Sequence, residues 1–89
     1  MSAEGYEAIK LRKSDEVSEL LALRAILDEE VKMVIHNAET TGAKLYQPDS
    51  NRYLSKMRIS NATFYVEYSV EGEAYTVHTA YSHRSEMEE

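Results

Sequence analysis

The chain contains no cysteine and no tryptophan, and only one proline, one phenylalanine and three glycines among 89 residues. Without cysteine there is no disulfide framework, no thiolate metal site and no thiol nucleophile, which fits a reducing compartment. Three glycines are too few for a glycine-rich phosphate loop. No apolar run approaches the roughly 18 residues of a membrane span, and the opening MSAEGYEAIKLRK lacks the apolar centre of a secretory signal. A cytoplasmic protein without membrane attachment is the expectation, and Asn61-Ala62-Thr63 is then an incidental glycosylation match. Positive charge is also scarce: ten bases stand against sixteen acids, a formal net charge of −6. A protein that grips phosphate backbones needs concentrated cations, because released counterions supply much of the affinity. This balance argues against a nucleic-acid partner.

What remains is ordinary for a small globular protein, with 43% hydrophobic and 29% charged residues. A chain this short makes one domain, 1–89, and buries only about 60–65% of the surface its unfolded form exposes. Oligomerisation is a natural supplement to so small a core. Residues 1–5 and the acidic tail 85–89 are expected to be frayed ends.

Ser14 is a suitable N-cap, with Asp15 and Glu16 placed where the helix dipole favours acids. Val17, Leu20, Leu21, Leu23 and Leu27 recur at helical spacing, and Val31, Val34, Ile35 and Ala38 continue the stripe to a stop at Gly42. One helix over 15–41 would measure about 40 Å at 1.5 Å per residue, long for a domain whose radius of gyration should be about 12 Å. A break at Leu27–Asp28, with Asp28 capping a second helix, resolves this. The alternative is a single helix with Arg24 and Asp28 paired at i, i+4. Tyr6–Leu11 alternates like a short edge strand, 43–47 reads as extended, and Pro48-Asp49-Ser50-Asn51 reads as a turn.

From Arg52 to Arg84 the chain reads as a three-strand meander. A two-residue loop at Ser60-Asn61 sets Ile59 against Ala62, Met57 against Phe64 and Ser55 against Val66. A second at Glu71-Gly72 sets Tyr68 against Tyr75, Val66 against Val77 and Phe64 against Thr79. Side chains alternate faces, so one face collects Met57, Ile59, Phe64, Val66, Tyr68, Tyr75, Val77 and Tyr81. The helical stripe is its only cover of matching size. The expected fold is α+β in two layers, one or two N-terminal helices on a three- to four-stranded antiparallel meander sheet.

The same register draws Lys56, Arg58, Tyr65, Glu67 and His78 together on the other face, with Lys56, Tyr65 and His78 in one row. A histidine beside a carboxylate, with cations for a developing anion, is a set capable of acid–base chemistry if the site is concave. A solvated polar face stabilised by cross-strand pairs accounts for the same residues. Among the histidines, His36 belongs to the helical layer while His78 and His83 differ in strand parity, so neither a metal site nor any cofactor is expected. Seven tyrosines, five of them between Tyr53 and Tyr81, suit either the rim of a core or a contact surface.

Arg58-Ile59-Ser60-Asn61, the late pair His83-Arg84, and an extended Tyr6–Leu11 followed by helices together resemble the RelE/ParE group of small toxins. The likeness covers about the C-terminal third, and Thr63 stands where that group carries a second basic residue. The resemblance implies ribosome-dependent cleavage of mRNA, with Lys56, Arg58, His83 and Arg84 as the residues concerned. From size, acidity, tyrosine content and the lack of a catalytic signature, the expected function is different. It is that of a small non-enzymatic binding or accessory protein acting through protein–protein contact, self-associating as a homo-oligomer. A ribonuclease toxin of the group named, or an inactive relative, is the alternative.

Overall fold

The computed structural model describes residues 4–84. In order along the chain lie α1 (Glu4–Glu7), β1 (Leu11–Arg12), α2 (Asp15–Leu23), α3 (Asp28–Thr41), β2 (Lys44–Gln47), β3 (Arg52–Ile59), β4 (Ala62–Glu71) and β5 (Ala74–Arg84). The five strands form one sheet in the order β1-β5-β4-β3-β2. The α+β class is as expected, but the sheet is mixed rather than purely antiparallel. β1 runs parallel to β5, with Leu11 opposite Tyr75 and Arg12 opposite Thr76. The extended segment expected at Tyr6–Leu11 is displaced: Tyr6 lies in α1, and only Leu11 reaches the sheet. Of the expected frayed ends, residues 1–3 and 85–89 lie outside the described residues, while Glu4 and Gly5 belong to α1.

The helical region is two helices. The Ser14 hydroxyl accepts the Val17 N–H at 3.2 Å, as an N-cap should. α2 then stops at Leu23, four residues short of the expected break. Its last turn closes with Ile26 N–H donating to the Leu21 carbonyl and Ala25 N–H to that of Ala22, around Ala25 at φ 57°. This is a Schellman motif, with buried Leu21 and Ile26 in its hydrophobic contact. The reversal removes Leu23 and Leu27 from the apolar stripe, leaving them 85% and 60% exposed, and Ile26 takes the inward place. α3 is capped by Leu27, not Asp28. The Leu27 N–H is accepted by the Glu30 carboxylate at 2.9 Å, half of a capping box. Asp28 instead pairs with Lys13 at 3.5 Å. Gly42 ends α3 in the left-handed conformation at φ 78°, as the sequence suggests.

The hairpin between β3 and β4 has the expected register, Ile59 opposite Ala62 through Tyr53 opposite Tyr68. The next hairpin does not. Its loop is Gly72-Glu73, so Glu71 faces Ala74, Val70 faces Tyr75 and Tyr68 faces Val77. Gly72, at φ 65°, occupies the first loop position rather than the second. That slip moves partners by two residues and preserves faces. A bulge then follows: Tyr68 opposes Val77 but Glu67 opposes Thr79, leaving His78 as the extra residue. One more residue of offset reverses the faces of β5 beyond it. Ala80 is therefore buried opposite Val66, while Tyr81, expected in the core, is exposed.

The core joins Leu21, Ile26, Val31, Val34 and Ile35 from the helical layer to Ala62, Phe64, Val66, Tyr68, Val77 and Ala80 of the sheet. Tyr68 is its largest fully buried side chain. Its hydroxyl donates to Glu39 Oε2 at 2.6 Å, and Lys44 Nζ donates to the same oxygen at 2.8 Å. Burial raises the Glu39 carboxyl, but the bonds from Lys44 and Tyr68 and the Lys44 charge outweigh it and hold the group below the ordinary carboxylate range. Burial and the neighbouring carboxylate push the Tyr68 phenol far up, so it stays protonated.

Candidate site on the open sheet face

Both α2 and α3 lie on the same side of the sheet, and no described element covers the other side. Rows across that open face follow from the observed register. Lys56, Tyr65 and Tyr81 form one row, and Arg58, Thr63 and His83 the next. On the other side of the first row lie Leu45, Leu54, Glu67 and Thr79, then Gln47, Arg52, Ser69 and Thr76.

Every residue of the expected constellation lies on this face, but the grouping differs. Tyr65 faces Tyr81, not His78, because the loop slip and the bulge together shift its partner by three residues. The two rings stack with centroids 4.8 Å apart and planes 12° from parallel. Lys56 and Arg58 are exposed beside them. Glu67 opposes Thr79, where Thr76 was expected, and accepts from Arg52 Nη1 at 3.1 Å. His78 lies 2.8 Å through Nε2 from Ser69 Oγ. Its imidazole is held below the ordinary histidine range by burial and by the Arg52 charge, against the opposing pull of Glu67 and Glu71. Arg52 and Ser69 are thus partners that the sequence did not single out. Arg52 was legible as a strand residue, whereas the Ser69 contact depends on the bulge.

The bulge also places His83 opposite Thr63 on the open face, the face that holds His78. The parity argument that separated the two histidines fails for this reason. Among the described residues no three metal-ligating groups cluster. Arg84 is exposed opposite Ala62.

Glu67 and His78 line none of the described cavities. Tyr65, the third member of the acid–base set, does border one of them. A hollow of about 440 Å³ is bounded by Ala43, Leu45, Leu54, Lys56 and Tyr65 and by the strand residues Lys44 and Ser55. Its floor is apolar, with Leu45 64% exposed, and the Lys56 ammonium stands beside it. A wider groove of about 1140 Å³ runs along β1. There Lys10, Arg12, Lys13 and Lys32 are offset by Asp28 and Glu71. No described helix is long and apolar enough to cross a membrane.

The open face thus combines an apolar hollow, a pair of stacked tyrosines and flanking cations. Comparisons of the chain with protein-family models, curated proteins and solved structures gave no match.

Proposed function

We propose that this chain is a small non-enzymatic binding module whose open sheet face receives a partner protein. One observation carries the reading: a whole face of a five-stranded sheet lacks a covering layer and displays the Tyr65–Tyr81 stack beside the Leu45–Leu54 hollow. Apolar and aromatic groups ringed by exposed charge are the composition of a protein-contact patch. Tyrosines supply large contact area at small entropic cost, and two preorganised by stacking reduce that cost further.

The test is retention of partners by the immobilised chain, comparing wild type with Tyr65→Ala and Leu54→Asp. Glu19→Ala on the exposed side of α2 serves as the control. Loss of the bound partner in both face variants, with circular dichroism and the control unchanged, supports the reading. Equal retention by folded face variants overturns it.

A second reading takes support from the juxtaposition of Arg58 and His83 in one row with Lys56 in the adjacent row. In a ribonuclease toxin of the RelE/ParE kind, those cations and Arg84 would meet RNA phosphates. Expression would then arrest growth, and Lys56→Ala or Arg84→Ala would relieve the arrest. Normal growth at high levels of folded wild-type protein removes this reading.

A further inference from the structure

β4 and β5 pair Tyr68 with Val77 and Ser69 with Thr76, but Glu67 with Thr79. His78 is the residue left over, and a bulge re-aims the side chain it leaves unpaired. Its Nε2 lies 2.8 Å from Ser69 Oγ on the open face. A serine hydroxyl and an imidazole nitrogen at that distance meet the geometric requirement for a nucleophile and its general base. Both residues are half-buried, and no described element covers this face, so a reagent reaches them from solvent.

The surroundings suit that pairing. Burial and the Arg52 charge hold the imidazole below the ordinary histidine range, against the pull of Glu67 and Glu71, so it is neutral at pH 7. With Nε2 as the unprotonated nitrogen, the Ser69 hydroxyl donates to it. In its row across the sheet Ser69 stands between Arg52 and Thr76, with Arg12 beyond Thr76. Arg52 gives Nη1 to Glu67 and keeps further guanidinium N–H groups beside the place where negative charge would develop. The Thr76 hydroxyl is buried without a hydrogen-bond partner, the one such side-chain atom among the described residues. An orphan of this kind calls for an explanation, and a reactive site supplies one.

We propose that Ser69 is an acyl acceptor, taking an acyl group from a thioester with His78 as its general base. Ser69 Oγ attacks the thioester carbonyl while the hydroxyl proton passes to His78 Nε2. The oxyanion forms next to Arg52. Its collapse breaks the C–S bond, and the thiolate leaves with the proton that His78 took up. An oxygen ester on Ser69 and a free thiol result, with no other reactant consumed. The donor class follows from the charges. Glu67 and Glu71 stand near the pair in a chain of net charge −6, which repels a phosphoryl donor of several negative charges but not a neutral carbonyl. A thiolate departs readily, so one imidazole suffices as proton carrier. The product is an alkyl ester, much less activated than a thioester, so the transfer marks the chain once instead of turning over. This goes beyond the binding reading and does not rest on it: the same face gains a modification site.

The experiment incubates the full chain with phenyl thioacetate, follows thiophenol release, and maps acetyl groups by mass spectrometry of peptides. Wild type should be acetylated on Ser69. His78→Gln keeps a polar side chain in the bulge and should slow acetylation of Ser69 by about 100-fold or more, the contribution of a general base. In wild type the rate at Ser69 should rise with pH through one titration below the ordinary histidine range and then level off. A merely structural Ser69–His78 bond would not give that profile. Acetyl groups confined to lysines or the amino terminus, a folded His78→Gln that matches the wild-type rate, or a Ser69 rate that tracks hydroxide across neutral pH overturns the proposal. Mapping and the pH profile need only wild type, so neither depends on a variant folding. Partner retention uses no acyl donor and acetylation uses no partner, so failure of one reading is distinguished from failure of the other.

Discussion

Replacing Tyr68 by phenylalanine isolates the bond that pins the helical layer to the sheet. The ring is fully buried and contacts Tyr53 and Tyr75 at centroid distances of 5.7 and 5.8 Å, contacts that Phe retains. What disappears is one hydroxyl donating to Glu39 Oε2 at 2.6 Å. A hydrogen bond to a charged group contributes about 1.5–3 kcal/mol. Glu39 keeps Lys44 and is 25% exposed, so water replaces part of the loss, and a cost of about 1–2 kcal/mol is expected. For a domain of this size that lowers Tm by roughly 5–15 °C, at about 4–8 °C per kcal/mol. The difference should depend on pH with a definite sign. Because the folded carboxyl titrates below its unfolded value, its contribution is present at neutral pH and lost as pH falls through the folded pKa. Paired thermal and urea denaturation at neutral and acid pH, followed by circular dichroism, measures both effects. A Phe variant as stable as wild type at neutral pH, or a gap that does not narrow in acid, refutes the account of Glu39 as the charged acceptor.

Two further outcomes follow from backbone and titration. Ala25 holds a left-handed conformation that costs an L-residue about 1–2 kcal/mol. Ala25→Gly should relieve that cost, less the roughly 0.5–1 kcal/mol of extra unfolded-state entropy, a net gain of about 0.5–1 kcal/mol in urea denaturation; destabilisation would contradict the Schellman ending of α2. His78 titrates below its unfolded value, so the unfolded chain takes up its proton first as pH falls. Its contribution is complete above the ordinary histidine range and declines as pH drops through that range toward the folded pKa. Stability measured against pH should lose this component in His78→Gln, and an unchanged slope would show that burial beside Arg52 does not govern the imidazole.

The fold was legible where its cause is local. Ser14, Gly42, the turn at 48–51 and the Ser60-Asn61 hairpin each occupy the place their chemistry demands. The Glu71-Gly72 loop was misplaced by one position because a glycine satisfies either loop position of a primed turn. The end of α2 was misplaced because its left-handed residue is an alanine, which gives no compositional signal. Lys56, Arg58, Tyr65, Glu67 and His78 were assigned to the correct face, since a strand's alternation survives a two-residue slip, whereas Tyr81, beyond the bulge, was not. The grouping of the five was missed, because the bulge at His78 carries no glycine to announce it.

The amino-acid sequence by itself determined that an amphipathic helical layer covers one face of a tyrosine-rich meander. The 3.6- and 2-residue periods of apolar residues leave no other way to bury them. Only the tertiary structure decided that the helical layer is two helices, which tyrosine stacks on Tyr65, and that β1 pairs parallel with β5. The last two depend on pairing between distant segments, where a single extra residue exchanges the two faces of a strand and the chain nearby holds no record of the choice.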